Sequence, residues 1–191
     1  LRGLQLWVNL PKASKMTAPR YREVPAATIP EVTVSPGVRV KVVAGELAGV
    51  RGPVAGVVAE PELLDLTLAP GAGIEHETPP GHTVFAYVIG GRGVFCRQSD
   101  PFAYEAEGAG WFDMERAPLL GDGHLVLFGD GDEVVIVAAE DPVRLLLISG
   151  KPIGEPVAWY GPIVMNTQEE LRVAFAELDA GTFLKAGRAA R

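Results

Sequence analysis

Short apolar runs follow one another along this chain, each closed by glycine, proline or aspartate, and no helical pattern separates them. Val38-x-Val40-x-Val42 alternates with Arg39 and Lys41 on the opposite face. Leu63 to Leu68 ends at Pro70–Gly71, and Thr83 to Ile89 ends at Gly90–Gly91. Val94 to Cys96 is short. His124 to Phe128 ends at Gly129–Asp130–Gly131, followed by Glu133 to Ala138 and Val143 to Ser149. Period-2 runs of this length with turn residues between them predict an all-β sandwich or barrel. A parallel α/β sheet is excluded, because that architecture needs a helix between successive strands.

The flanks read differently. Leu4-Gln-Leu-Trp-Val-Asn-Leu10 alternates apolar and polar, the pattern of a half-buried strand that Pro11 ends. Lys12 to Arg22 is a basic surface connection, and Pro25 and Pro30 bracket a further extended piece. Gly45 to Gly56 is a loop with room for a short edge strand. Near the other end, Thr167-x-x-Glu170 is a capping box, Leu171, Ala174, Phe175 and Leu178 recur at helical spacing, and Gly181 is a natural stop. One helix over Thr167–Asp179 is expected, its apolar stripe packed on the outside of the β core. Lys185 to Arg191 is a frayed basic tail.

Composition limits the function classes. The chain has 191 residues, 48% of them hydrophobic, enough for one sizeable core. Its 17 basic and 24 acidic residues give a net charge of −7, which disfavours nonspecific contact with nucleic acid or anionic membrane. No apolar run reaches the length of a membrane span. Leu1–Arg2–Gly3 has no signal-peptide pattern and reads as an internal start. Cys96 is the single cysteine, which suits a reducing cytosol and is read as a buried, inert thiol.

The dense polar cluster is Gly71-Ala-Gly-Ile-Glu75-His76-Glu77-Thr78-Pro-Pro-Gly-His82, placed in a turn between two strands. It has the shape of the first cupin motif, in which His-x-His and then Glu face a metal inside a barrel. Aligned this way, His76 takes the first histidine position, Thr78 the second and His82 the glutamate position. The later turn Gly129–Gly131 puts Val134 where a further histidine is expected. Two readings stay open: a degenerate metal site of His76 and His82 with Glu75 or Glu77, or solvated loop residues beside a barrel mouth. His124 reads as a hydrogen-bonded structural histidine, because no Asp, Ser or Cys stands at a defined spacing from it. Asp130, Asp132 and Glu133 read as a solvated hairpin turn, since the closing glutamate of a calcium loop is missing. Trp7, Trp111 and Trp159 read as core or interface residues, with Trp111 and Phe112 in a glycine-rich acidic stretch.

Several stretches together resemble the pirin family. They are Gly3-Leu-Gln-Leu-Trp-Val-Asn-Leu-Pro11 with Lys15–Met16, Leu66-x-Leu68-x-Pro70-Gly71, Phe85-x-Tyr87-Val88, Gly129-Asp-Gly131 and Leu147-Ile-Ser-Gly150-Lys-Pro152. The most specific is Glu155–Pro156 continuing through Tyr160-Gly-Pro-Ile-Val-Met-Asn-Thr167 to Glu169–Glu170. The resemblance implies a two-cupin protein whose N-terminal cupin binds iron or another divalent metal through three histidines and a glutamate, and whose C-terminal cupin lacks a competent site.

This chain resembles the inter-domain segment (residues 1–36) and the C-terminal barrel with its helix (37–183), followed by a tail (184–191). No catalytic, cofactor or metal residue of the family can be carried onto it, so no metal is expected in this chain. The implied role is a non-catalytic domain that packs on a metal-bearing cupin. The alternatives are a quercetin dioxygenase-like enzyme when joined to that half, and an interaction module of a transcription-related pirin. The implied partner is the N-terminal cupin, or a second copy through residues 4–10, in the cytoplasm. Neither nucleic acid nor membrane is expected as a partner.

Overall fold

The structure is a computed structural model that describes residues 3–96 and 119–184. The stretch around Trp111 and Phe112 and the tail from Lys185 lie outside the described residues. Two compact units form, one from Val24–Ala55 and Glu60–Lys151, the other from Leu1–Glu23, Gly56–Ala59 and Pro152–Arg191.

The first unit is a two-sheet antiparallel jelly roll. Its strands are β1 (Glu31–Ser35), β2 (Val38–Ala44), β3 (Glu46–Leu47), β4 (Val50–Arg51), β5 (Glu62–Leu68), β6 (Gly73–Glu77), β7 (Thr83–Gly90), β8 (Arg92–Val94), β9 (Leu120–Gly121), β10 (Leu125–Leu127), β11 (Glu133–Ala138) and β12 (Val143–Gly150). One sheet runs β1-β2-β5-β12-β7-β10 and the other β6-β11-β8-β9, while β3 and β4 pair as a small hairpin. From β5 to β8, and again from β10 to β12, successive strands change sheet, which is what joins the two layers into one barrel-like body.

Register explains the core. Val40, Leu66 and Leu145 stand side by side across β2, β5 and β12, and Val42, Leu64, Leu147 and Ala86 form the next row. Leu64, Leu66, Leu68, Leu145 and Leu147 are fully buried. Each such side chain contributes about 1.5–3 kcal/mol over an exposed one. Facing them from the second sheet are Ile74, Val134, Ile136 and Ala138.

The second unit holds two more strands, β13 (Ala158–Tyr160) and β14 (Ile163–Met165), and helix α1 (Gln168–Asp179). The capping box forms: Thr167 Oγ1 accepts from the Glu170 amide at 3.1 Å, and a Glu170 carboxylate oxygen accepts from the Thr167 amide at 3.0 Å. Gly181, at φ +71°, ends the helix. Leu171 and Ala174 bury against Ala158, Ile163 and Met165, with Phe175 beside them. Within its own unit the helix therefore finds its apolar partner in the β13–β14 hairpin. That hairpin carries no strong alternation in sequence and is new to the structure.

Glu155 and Glu170 also tie the N-terminal segment into this unit. Glu155 Oε2 accepts from the Lys12 amide at 2.7 Å and from Asn166 Nδ2 at 2.9 Å. The other Glu170 oxygen meets Lys12 Nζ at 2.7 Å. Lys12 lies first among the causes that hold the Glu170 carboxyl below the ordinary carboxylate range, followed in the same direction by the Asn166 and Thr167 amides. The sign is the usual acidic one: this contribution is complete at neutral pH and disappears as pH falls through the depressed folded value. Hydrogen exchange, corrected for intrinsic rates, should show the Asn166 and Thr167 amides losing protection in acid. In Glu170→Ala they should be poorly protected at every pH, and equal profiles in the two proteins would refute the assignment.

Three further expectations are corrected. Leu4–Leu10 forms no strand: its alternation is present, but Leu4, Leu6, Trp7 and Val8 are exposed and no described strand pairs with it. Residues 26–28 form a 3₁₀ turn, where an extended piece was expected. Of the two readings for Trp7 and Trp159, core or interface, exposures of 65% and 68% remove the first. Cys96 is exposed at the end of β8, because the strand stops before reaching it. No helix among the described residues is long and apolar enough to cross a membrane.

Candidate functional site

The polar cluster read as a turn is strand in its first part. Residues 73–77 form β6, paired with β11 so that His76 stands opposite Val134 and Glu75 opposite Val135. Alternation then decides which side chains face the interior. Ile74, His76 and Thr78 are buried, whereas Glu75 and Glu77 lie on the exposed face. A site joining His76 to Glu75 or Glu77 is therefore ruled out by the pleat.

The partner of His76 is Glu62, at the start of β5. His76 Nε2 and Glu62 Oε2 are 2.9 Å apart, with the side chains 8% and 19% exposed. An ionised carboxylate only accepts, so the imidazole Nε2–H donates. Ser149 Oγ lies 3.4 Å from the same Glu62 oxygen. Ser149 and Glu62 are direct neighbours in the β12–β5 register, with Val84 on the other side of Ser149. Sequence reading missed this cluster, although a signal for it exists. Leu64, Leu66 and Leu68 alternate inward, and extending that period by one step puts Glu62 inside.

His82 precedes β7, and its Nδ1 is buried with no hydrogen-bond partner among the described residues. His124 Nδ1 lies 2.9 Å from the Gly121 carbonyl in the exposed loop before β10. Asp130 Oδ1 accepts from the Gly81 amide at 3.2 Å, and the Asp132 carbonyl accepts from the Thr78 amide at 2.9 Å. The acidic residues thus close the β10–β11 turn over the Pro79–Pro80 loop. Glu77, Thr78, Pro79, Pro80, Asp132 and Glu133 line a depression of about 610 Å³ there.

A four-donor metal centre does not fit these residues. Val134 is aliphatic, Thr78 offers a hydroxyl in place of an imidazole, and the Nε2 of His76 is engaged by Glu62. Among the described residues no three His, Cys, Asp or Glu side chains converge as metal ligands would.

Comparison with known proteins is consistent in family and partial in extent. The family model for the pirin C-terminal cupin domain matches residues 63–184. Pirin-1 of Arabidopsis thaliana is 39% identical over 176 residues, covering 91% of this chain and 55% of that protein. A pirin-like protein of Caulobacter vibrioides is 38% identical, covering 96% of this chain and 59% of its own length. Among solved structures, a quercetin 2,3-dioxygenase from Acinetobacter baumannii superposes with a TM-score of 0.73 at 30% identity, over 93% of this chain and 55% of that one. The chain spans a little over half the length of these relatives.

Proposed function

The chain belongs to the pirin family, as its C-terminal cupin domain, and from that premise we propose that it is a non-catalytic cupin that packs on, and completes, a metal-binding cupin. The observation that carries this reading is the donor chemistry of the barrel interior. Val134 faces His76 across the β6–β11 pair, and Glu62 takes the imidazole nitrogen that a metal needs.

The oxidative chemistry in the name of the Acinetobacter relative is assigned, on this reading, to a metal-bearing partner domain. That protein is nearly twice as long as the part matched here. Residues 1–36 then act as the inter-domain segment, with Leu4, Leu6, Trp7 and Val8 as its apolar contact. Where no metal-bearing cupin is available, a second copy takes its place through residues 4–10. The exposed thiol of Cys96 suits a reducing compartment such as the cytosol.

Metal retention tests the reading. After incubation with ferrous iron and desalting, the chain should retain far less than one iron per molecule. Near-unit iron, lost in a His76→Ala/His82→Ala variant, would overturn it.

A further inference from the structure

We infer that the barrel position where the first cupin motif would place a metal ligand is taken here by a hydrogen-bonded clasp, Glu62–His76–Ser149, which ties the two sheets together at one end of the barrel. The inference rests on the reading above in one respect, that His76 is not a metal ligand.

Three placements carry it. First, Glu62 and Ser149 belong to the six-stranded sheet and His76 to the four-stranded one, so the 2.9 Å contact spans the gap between layers. Second, the neighbouring inward rows of the six-stranded sheet are aliphatic. Val40, Leu66, Leu145 and Val88 make one row, and Val42, Leu64, Leu147 and Ala86 the next. Those rows hold the sheets together by burial and dispersion, which are non-directional. At the row of Glu62, Ser149 and Val84 the link becomes directional. Third, one carboxylate oxygen is the hub, approached by both the His76 ring and the Ser149 hydroxyl. The His76 contact, at 2.9 Å, is the bond that aims the carboxylate, and the Ser149 hydroxyl, at 3.4 Å, flanks it.

The same atoms explain how metal is refused. To ligate through Nε2, His76 must give up its hydrogen bond to Glu62, and with the Glu62 carboxylate as a second ligand the pair would supply two donors. Val134, opposite His76, offers no ligand in return, and Thr78 offers only a hydroxyl.

A buried pair of this kind has a recognisable energetic signature. Removing one partner strands the other and is costly, whereas replacing both with apolar residues of similar size is close to neutral. The experiment is therefore a mutant cycle on the chain: Glu62→Leu, His76→Leu and the double variant, read by urea unfolding and by hydrogen exchange of the β6–β11 amides. Each single variant should lower protection of those amides by about tenfold or more, and the double variant should return to within about threefold of the parent. A single variant that fails to fold while the double variant folds carries the same sign.

Additive losses, a double variant as damaged as the singles, or singles that leave protection unchanged would each overturn the clasp. Cobalt(II) titration separates this inference from the reading it rests on. Stoichiometric binding by the parent, abolished in His76→Leu, sinks both. An uncoupled mutant cycle without cobalt binding sinks the clasp alone.

Discussion

Replacing Gly91 by alanine should destabilise the jelly roll by about 3 kcal/mol or more, seen as a lower urea midpoint with an unchanged slope. Two terms combine. Gly91 sits at φ +78°, a left-handed conformation that costs an L residue about 1–2 kcal/mol. In addition, a Cβ there would collide with the Pro142 carbonyl oxygen, which is rigid main chain just before β12. Relief requires moving the start of β12 away from the end of β7, in the pair that carries Val88, Leu145, Ala86 and Leu147 into the core. Gly71 provides the control. It has φ +70° in the same unit, and nothing lies within 4 Å of a Cβ placed there. Gly71→Ala should therefore cost the conformational term alone, about 1–2 kcal/mol. Equal losses at the two positions would show that the Pro142 contact relaxes freely.

These glycines belong to the part of the fold that was legible in the sequence. Strand positions could be read because burial on one face writes a period of two, as in Val38-x-Val40-x-Val42 and in Leu64, Leu66 and Leu68. The helix could be read because its N-terminus is encoded by two side chains three residues apart, Thr167 and Glu170. Both signals are local. What was misread depends on neighbours that are distant in sequence. Leu4–Leu10 has a strand's alternation, but a strand exists only where another strand offers its edge. The Gly71–His82 cluster looked like a turn because its proline and glycine residues dominate it, yet pairing with β11 extends five of its residues into β6. Helix α1 announced its apolar stripe and kept its partner hidden, since β13 and β14 are three residues each, too short to show a period.

The candidate site divides along the same line. That His76 and Thr78 face one way, and Glu75 and Glu77 the other, follows from alternation once β6 is known to be a strand. That Glu62 meets His76 follows from the stacking of two sheets and has no local signature. A histidine read against cupin ligands invites a search for other histidines. The structure answers with a carboxylate from a strand outside both motifs and a serine 87 residues further along the chain from it. The partner of His76 therefore has no signal in the stretch around the histidine itself.

Loss of the exposed apolar arm should abolish association more completely than any change within the barrel. Leu4, Leu6, Trp7 and Val8 are 54%, 43%, 65% and 48% exposed, and together they offer on the order of a few hundred Å² of apolar surface. At ~25 cal/mol per Å² its burial is worth several kcal/mol as an upper estimate, part of which is lost to the entropy of association. The arm is not a free tail. Asn9 Oδ1 accepts from Lys15 Nζ at 2.7 Å, and Lys12 is held by Glu155 and Glu170. The apolar residues are thus presented from a fixed base, which reduces the ordering cost of docking.

That base also dictates the variant to use. Deleting the whole segment through Arg22 removes Lys12 and unpins Glu170, so it confounds association with local unfolding. Leu6→Ser/Trp7→Ser removes two of the four exposed side chains and leaves Asn9, Lys12 and Lys15 in place. By analytical ultracentrifugation the parent should self-associate, or bind a separately supplied metal-binding pirin cupin. The variant should weaken either contact by about tenfold or more, as expected for loss of an aromatic anchor with its neighbour. Its α1 content and urea midpoint should be unchanged. A parent that stays monomeric, ignores the second cupin and behaves as the variant does would mean that the arm is ordinary surface and that this cupin is self-sufficient.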